Sequence, residues 1–180
     1  MAAVYGAGDT TERPMPIRAI EAIIQRDLAA VRRTVEAYPD EAALWAERPG
    51  LPNAGGTLAL HLAGNLQHYV GAVLGASGYR RDRDAEFARR DVSRADILAE
   101  LDAARAAVAR GLRALGDDRL GEPYPEPIAG RRLTTEVFLL HLVTHLAYHL
   151  GQLDYHRRVV SGDRTGVGAV AAAELPAASA

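Results

Sequence analysis

The sequence contains no cysteine among its 180 residues. This absence excludes disulfide bonds, thiolate metal ligands and a cysteine nucleophile. The chain also lacks an apolar run approaching the ~20 residues that a transmembrane helix requires. Residues 1–11 have neither the basic region nor the apolar region of a signal peptide. We therefore expect a cytoplasmic protein that does not act in a membrane.

Neither charge sign is in large excess, with 21 Lys and Arg against 23 Asp and Glu and a formal net charge of −2. This balance gives no electrostatic reason to expect nucleic acid or an anionic membrane as a partner. The G-x-S-x-G, P-loop and G-x-G-x-x-G motifs are also missing, which disfavours a nucleophilic hydrolase, a nucleotide triphosphatase and a dinucleotide enzyme. A hydrophobic content of 48% predicts one globular domain with a substantial core.

Apolar residues recur at helical spacing in four segments, which predicts four main helices. We expect the first helix from Ile17 to Tyr38, the second from an N-cap at Thr57 to about Leu74, the third from Ser93 to Leu115, and the fourth from Thr134 or Thr135 to about Val160. Ser93 and Asp96 form a pair similar to a capping box. A short helical turn over residues 41–46 is also expected.

Two connections between the helices are distinctive. Residues 75–92 form a long link, whereas antiparallel neighbours usually need about two to eight residues. This link could instead cross the bundle and leave helices two and three parallel. Its charged centre, from Arg80 to Phe87, alternates in sign, which favours a solvated crossover over a phosphate-binding patch. Before helix four, the proline-rich segment 123–133 predicts a small exposed hairpin that turns near Ala129 and Gly130.

Helix four carries histidines at four-residue spacing, His141, His145 and His149. Each step of four residues leaves neighbouring side chains about 40° apart on one face. His145 and His149 can therefore present two nitrogens to one metal ion, although the same spacing suits polar side chains at a helix interface. His141 is expected to have a supporting or structural role. For His156 we expect an interaction with the dipole at the helix C-terminus.

A third ligand would have to come from another element, and helix two offers His61 and His68 on nearly one face. If helices two and four are antiparallel, His61 rather than His68 faces His145 and His149. A buried, hydrogen-bonded histidine is the alternative for His61. Three neutral histidines with an open coordination position suit a catalytic site for Zn²⁺, Ni²⁺, Fe²⁺ or Co²⁺. Leu146 follows His145, so the glutamate base of an H-E-x-x-H protease is missing.

Two sequence elements resemble the DinB superfamily of metal-dependent bundle proteins. One is His61 within Leu-His-Leu-Ala-Gly-Asn-Leu, and the other is His145-Leu-Ala-Tyr-His149-Leu-Gly-Gln152. The segment from Tyr79 to Phe87 is similar to one in a branch of that family. The resemblance implies an all-α four-helix bundle of up-down-down-up topology over residues 14–160, which is often a homodimer. We expect residues 1–13 and 161–180 to be flexible tails.

The resemblance also implies a function. It assigns His61, His145 and His149 as ligands of zinc or nickel, and some relatives are S-transferases or isomerases that use bacillithiol, mycothiol or glutathione. We therefore expect a thiol S-transferase acting on a small-molecule thiol and an electrophile. Candidates for lining the thiol site are Asn65, Tyr148 and Gln152, and Gln152 alternatively supports a ligand through a hydrogen bond. The alternatives are a metal-dependent hydrolase and a non-enzymatic, stress-related metal-binding bundle.

Overall fold

The computed structural model describes residues 16–90 and 92–177. These residues contain six α-helices and no strand. The helices are α1 (Pro16–Glu36), α2 (Glu41–Leu44), α3 (Gly55–Leu66), α4 (Arg83–Ala88), α5 (Arg94–Leu115) and α6 (Thr135–Ser161). A π-helix, Gln67–Leu74, continues α3. The predicted all-α class is confirmed, while the tail predicted at residues 1–13 lies outside the described part of the chain.

Helix α5 begins, and helix α6 begins and ends, where local side-chain chemistry predicts. Ser93 Oγ accepts a hydrogen bond from Asp96 N at 3.1 Å and donates to Asp96 Oδ2 at 2.7 Å, so the predicted cap of α5 is present. Thr134 caps α6 by accepting from Val137 N. Gly162 ends α6 with a φ of 71°, a left-handed conformation that glycine adopts without a steric penalty.

The start of α3 differs from the prediction, because its N-cap is Ala54 rather than Thr57. Gly55 and Gly56 form the first turn of the helix. A Cβ on Gly55 would lie 2.7 Å from Tyr38 Cζ, and one on Gly56 would lie 2.6 Å from Trp45 Cη2. The two glycines therefore let the helix begin directly against two aromatic rings. Thr57 is buried inside the helix instead of capping it.

Helix α1 contacts both α5 and α6. The amide N of Ile17 donates to Asp117 Oδ1 at 2.9 Å, which joins the start of α1 to the end of α5. Near the other end of α1, Tyr38 Oη lies 2.7 Å from His156 Nδ1 of α6. The apolar stripe predicted for α1 is inside the core, where Ile24, Leu28, Val31 and Val35 are fully buried.

Helix α3 occupies the centre of the fold, and all twelve of its residues are buried. Its π-helical continuation approaches α5 so closely that a Cβ on Gly71 would lie 2.8 Å from Ala107 Cβ. On the other side, the rings of Tyr69 and Phe138 pack edge to face at 5.0 Å between α3 and α6. These contacts place His61, at the middle of α3, against the middle of α6.

The segment before α6 turns where the sequence predicts. Ile128 and Arg131 exchange two backbone hydrogen bonds of 2.9 Å, and Tyr124 N donates to Leu133 O at 2.9 Å. Ala129 and Gly130 both have positive φ, 48° and 76°, as the tight turns that match strand twist require. The pairing stays limited to isolated bridges, so no regular strand forms among the described residues.

The prediction of a solvated crossover is wrong for part of residues 75–92. The crossover contains α4, whose N-cap Asp82 accepts from Ala85 N at 2.9 Å. Glu86 of α4 is only 6% exposed. The Arg81 side chain is 10% exposed and forms a salt bridge with Glu86. The charges alternate in sequence, but these two side chains lie inside the fold.

After α6 the chain returns along the bundle. Arg33 Nε of α1 donates to Val167 O at 2.9 Å, and the same side chain pairs with Glu174. The flexibility expected for residues 161–180, like the bundle limits of 14–160, stays a prediction. Within the described ranges 16–90 and 92–177, none of the helices combines the length and the apolar character that a membrane crossing requires.

His156 does not have the predicted helix-dipole role. Its side chain is buried, Nε2 donates to Ala46 O at 2.8 Å, and Nδ1 accepts from Tyr38 Oη at 2.7 Å. Burial lowers the pKa of His156, although the bond to Ala46 O acts in the opposite direction. His156 is therefore a neutral link between α6, the end of α1 and the chain after α2.

The depressed pKa of His156 makes the fold sensitive to acid. At His156 the unfolded chain takes up a proton near pH 6.5, but the folded chain does so only at lower pH. The stabilising contribution of His156 is therefore fully present above about pH 6.5 and decreases below it. We expect His156→Gln to lower the free energy of unfolding at pH 7.5. On acidification, the variant should lose less of its stability than the wild type does. Urea unfolding at pH 7.5 and 5.5 with a chelator measures both. An unchanged pH dependence would contradict this expectation, and exposed His141→Gln is the control.

Candidate metal centre

Three histidines meet at the contact between α3 and α6. His61 comes from α3, while His145 and His149 lie one turn apart on α6. Each offers a ring nitrogen, and these nitrogens all lie within 4.8 Å of one another. The Nε2 atoms of His61 and His145 are 3.3 Å apart. The structure therefore brings together the three histidines singled out in the sequence.

The spacing and chemistry of the three rings suit a divalent metal. Ligand nitrogens about 2.0–2.1 Å from a tetrahedral ion lie roughly 3.3 Å from one another, which matches the His61–His145 separation of 3.3 Å. Burial, followed by electrostatic repulsion from the neighbouring His149 and His61, lowers the pKa of His145 to about 4. Burial also lowers the pKa of His149. Both rings are therefore neutral near pH 7, the form that binds metal ions.

His61 is held from behind by a buried carboxylate. Its Nδ1 lies 3.0 Å from Glu86 Oε2. Arg81 binds the same carboxylate with two hydrogen bonds, Nε to Oε1 at 2.7 Å and Nη2 to Oε2 at 2.8 Å. Because Glu86 accepts the Nδ1 proton, Nε2 of His61 keeps its free lone pair toward His145 and His149. Carboxylates commonly orient metal-binding histidines in this way.

The Glu86 carboxylate is ionised despite its burial. Burial disfavours the charged form, but the hydrogen bonds from Arg81 and His61 outweigh it, and the pKa of Glu86 is lowered. Gly64 of α3 makes room for this side chain, since a Cβ there would overlap Glu86 Oε1 and lie 2.8 Å from Cδ. The position of Glu86 therefore depends on the absence of a side chain at residue 64.

The three residues proposed from sequence to line the site have different surroundings. Gln152 Oε1 lies 2.6 Å from His149 Nδ1, so Gln152 supports His149 by accepting its proton. Tyr148 is 64% exposed, with its ring 5.2 Å from that of His149. Asn65 is buried on α3, one turn after His61. A role for these residues in binding a thiol stays a prediction.

His145 has a less constrained ring than the other two histidines. Its Nδ1 is buried, and no described residue accepts from or donates to it. Since Nε2 of His61 carries a lone pair, the 3.3 Å contact between the two Nε2 atoms requires His145 to donate its proton there. Binding of an ion between these atoms would move that proton to Nδ1. His145 is thus the ring whose tautomer responds to metal binding.

The remaining two candidate histidines lie outside the cluster. His141 is exposed and stacks on Phe138, with ring centroids 5.9 Å apart. His68 Nε2 lies 3.2 Å from Glu126 Oε2, a contact with the turn before α6. Among the described residues, the structure therefore places His61, and neither His68 nor His141, beside His145 and His149.

The sequence interpretation missed Arg81, Glu86 and Phe87 as residues of the site. The ring of Phe87 packs 4.9 Å from that of His61, next to the Glu86 contact. The available signal was the length of the crossover, because a segment that spans the bundle must pass the residues at its centre. The alternating charges favoured the opposite interpretation, because they are typical of a solvated loop.

Gly64 and Gly151 each lie close in sequence to a histidine of the site, and replacing them by alanine should change the stability in opposite directions. Gly64→Ala displaces Glu86 and should lower the free energy of unfolding by about 1–3 kcal/mol. Gly151 of α6 has no atom within 4 Å of an added Cβ, so Gly151→Ala should raise it by about 0.5–1 kcal/mol through helix propensity. Denaturant unfolding of the metal-free variants measures the difference. Equal effects would show that Glu86 moves away freely.

Comparison with known proteins supports the helical fold described above. A family model described as the DinB superfamily matches residues 23–153. A crystal structure of a DinB-like protein from Bacillus cereus ATCC 10987 superposes with a TM-score of 0.55 at 19% sequence identity, covering 74% of this chain and 85% of that one. A search of curated proteins finds no significant match.

Proposed function

The chain belongs to the DinB superfamily, and we propose that it is a metal-dependent thiol S-transferase. The observation that carries the proposal is the convergence of His61, His145 and His149, whose ring nitrogens lie within 4.8 Å of one another. Zinc or nickel is the proposed ion, since neutral imidazoles suit both metals. The proposed substrates are a low-molecular-weight thiol and an electrophile.

The chemistry needs few groups from the protein. A bound divalent ion would lower the pKa of a thiol and so provide a thiolate at neutral pH. In the transfer, the sulfur forms a bond to an electrophilic carbon, the leaving group departs with the electrons of the broken bond, and the thiol proton passes to solvent. No general base is then required from the protein.

The residues around the three histidines would hold them in one arrangement. Glu86 fixes the tautomer of His61, and Gln152 does the same for His149, so that both present Nε2. Phe87 covers one side of the His61 ring and limits the access of water there. Tyr148 lies exposed beside His149, where it can contact a bound substrate. Preorganised ligands of this kind reduce the reorganisation that a reaction requires.

Metal analysis and thiol transfer test the proposal together. The protein is purified without a metal-affinity column and analysed for stoichiometric metal, then assayed with bacillithiol, mycothiol and glutathione against 1-chloro-2,4-dinitrobenzene. Stoichiometric metal and metal-dependent turnover with one thiol are the expected results. Thiol-independent turnover of an ester would favour the hydrolase instead. A metal-free protein with no turnover would favour a non-enzymatic bundle.

We also propose the up-down-down-up topology for the four long helices. The start of α1 meets the end of α5 through Ile17 and Asp117, whereas the ends of α1 and α6 meet through Tyr38 and His156. Close approaches of Gly71 to Ala107 and of Gly75 to Gly111 advance together along the π-helix that continues α3 and along α5. Such contacts support parallel second and third long helices joined by a crossover. A homodimer and a cytoplasmic location stay predictions.

A further inference from the structure

A largely apolar cavity of about 320 Å³ adjoins the histidine cluster. It lies between the chain before α3, the first turn of α3 and the second half of α6, and its lining includes Leu51, Pro52, Leu58, Gly151, Gln152 and Tyr155. Tyr155 is 70% exposed, so the cavity opens to solvent beside it. Its volume falls at the lower end of the roughly 300–1,000 Å³ that small-molecule sites occupy.

Packing contacts do not explain why residue 151 is a glycine. It lies in the middle of α6, where glycine is less favourable than alanine because the flexible backbone loses more entropy. An added Cβ would meet no atom within 4 Å, so no close helix contact requires a glycine there. Tyr148 and Tyr155, three residues before and four after it, place large exposed side chains on the same face. Gly151 leaves a gap between them, at the wall of the cavity.

Gln152 connects this cavity to the metal centre. The side chain lines the cavity, while its Oε1 lies 2.6 Å from His149 Nδ1. With Oε1 engaged as an acceptor, the Nε2 group is left as a donor, and it donates to no other described residue. A molecule in the cavity would therefore contact largely apolar walls and, besides the amide of Asn53, the free amide donor of Gln152 next to a histidine of the cluster.

We infer that this cavity binds the apolar part of the electrophile, with a carbonyl or similar acceptor oxygen near Gln152. The occupant is an uncharged molecule with one aromatic or alkyl group, because no charged side chain is among the residues that line the cavity. The volume is about twice the ~150 Å³ of a protein cavity known to hold benzene. Its identity as the electrophile rests on the proposed function, but binding itself requires neither metal nor thiol.

The test uses 4-phenylbutan-2-one, an unreactive ketone that carries one aromatic ring. It is titrated into the full-length, metal-free protein and followed by the ¹⁵N NMR shifts of backbone amides. Saturable shifts at Leu58, Gly151 and Gln152 are expected. Gly151→Leu, which places a branched side chain in the cavity, should weaken binding at least tenfold. Gly151→Ala is the matched control and should weaken it less than threefold, and butan-2-one, which lacks the ring, should not saturate.

The variants are checked for zinc binding, because Gly151 contributes no ligand and the affinity should stay at the wild-type value in both. Equal dissociation constants for Gly151→Leu and the wild type, or shifts confined to other parts of the chain, would overturn the inference. Probe binding without any thiol transfer would refute the proposed function and leave the cavity assignment standing. Thiol transfer by a protein that does not bind the probe would refute the cavity assignment and leave the proposed function standing.

Discussion

Replacing His145 by alanine is expected to lower the affinity for zinc by at least about a hundredfold, or roughly 2.7 kcal/mol of binding free energy. His145 directly faces His61, with the two Nε2 atoms 3.3 Å apart. Its removal leaves His61 and His149, which are too few protein ligands for the three that catalytic zinc sites use. Competition with a chromophoric chelator measures the affinity, and the same loss is expected for nickel.

His141→Ala is the matched control, since it removes an imidazole one turn earlier on the same face of α6. His141 is exposed and outside the cluster, so its affinity for zinc should stay within about twofold of the wild type. An equal loss in both variants would mean that His141 contributes to zinc binding as much as His145 does. Wild-type affinity in His145→Ala would exclude the three-histidine site.

The long helices were predictable because their signals are local. Burial of Leu101, Val108 and Leu112 on one side of α5 follows from their spacing, and the cap at Ser93 depends on a residue only three positions away. Binary patterning determines such features without reference to the rest of the fold. The pairing of His145 with His149 is local in the same sense, because both lie on one helix.

The start of α3 shows where local reasoning gives the wrong residue. Thr57 is a good N-cap by type, but the cap lies three residues earlier, at Ala54, because Tyr38 and Trp45 pack on Gly55 and Gly56. These rings belong to residues that follow α1 and α2 in the chain. Tertiary packing therefore decided the boundary, and the sequence around Thr57 carries no information about it.

The residue that supports His61 in the metal centre was not predicted, for a related reason. Glu86 is 25 positions from His61 in sequence, within a run of alternating charges. Only the path of the crossover across the bundle brings it to Nδ1 of His61. Its neighbours Asp82 and Asp84 are of the same type and remain exposed. Composition could not distinguish the buried acid from the exposed ones.

Replacing Glu86 by glutamine should lower the affinity for zinc by about 10- to 100-fold, the usual effect of removing a group that orients a metal-binding histidine. The amide is nearly isosteric but has no charge, so the hydrogen bond to His61 Nδ1 weakens and the ring becomes a poorer ligand. Arg81 also loses its ionic partner in a site where its side chain is only 10% exposed. Chelator competition again gives the affinity, and thermal unfolding of the metal-free variant shows whether the fold is intact.

Two further variants separate orientation of His61 from general damage to α4. Asp84→Asn removes the same charge from an exposed position on the same helix and should leave the zinc affinity within about twofold of the wild type. Arg81→Met leaves the Glu86 carboxylate beside His61, so its loss of affinity should be smaller than that of Glu86→Gln. If Arg81→Met weakened binding more than Glu86→Gln, the guanidinium rather than the carboxylate would control His61. If Glu86→Gln bound zinc as tightly as the wild type, His61 would be held by packing against Phe87 alone, and its Nδ1 contact would have no part in metal binding.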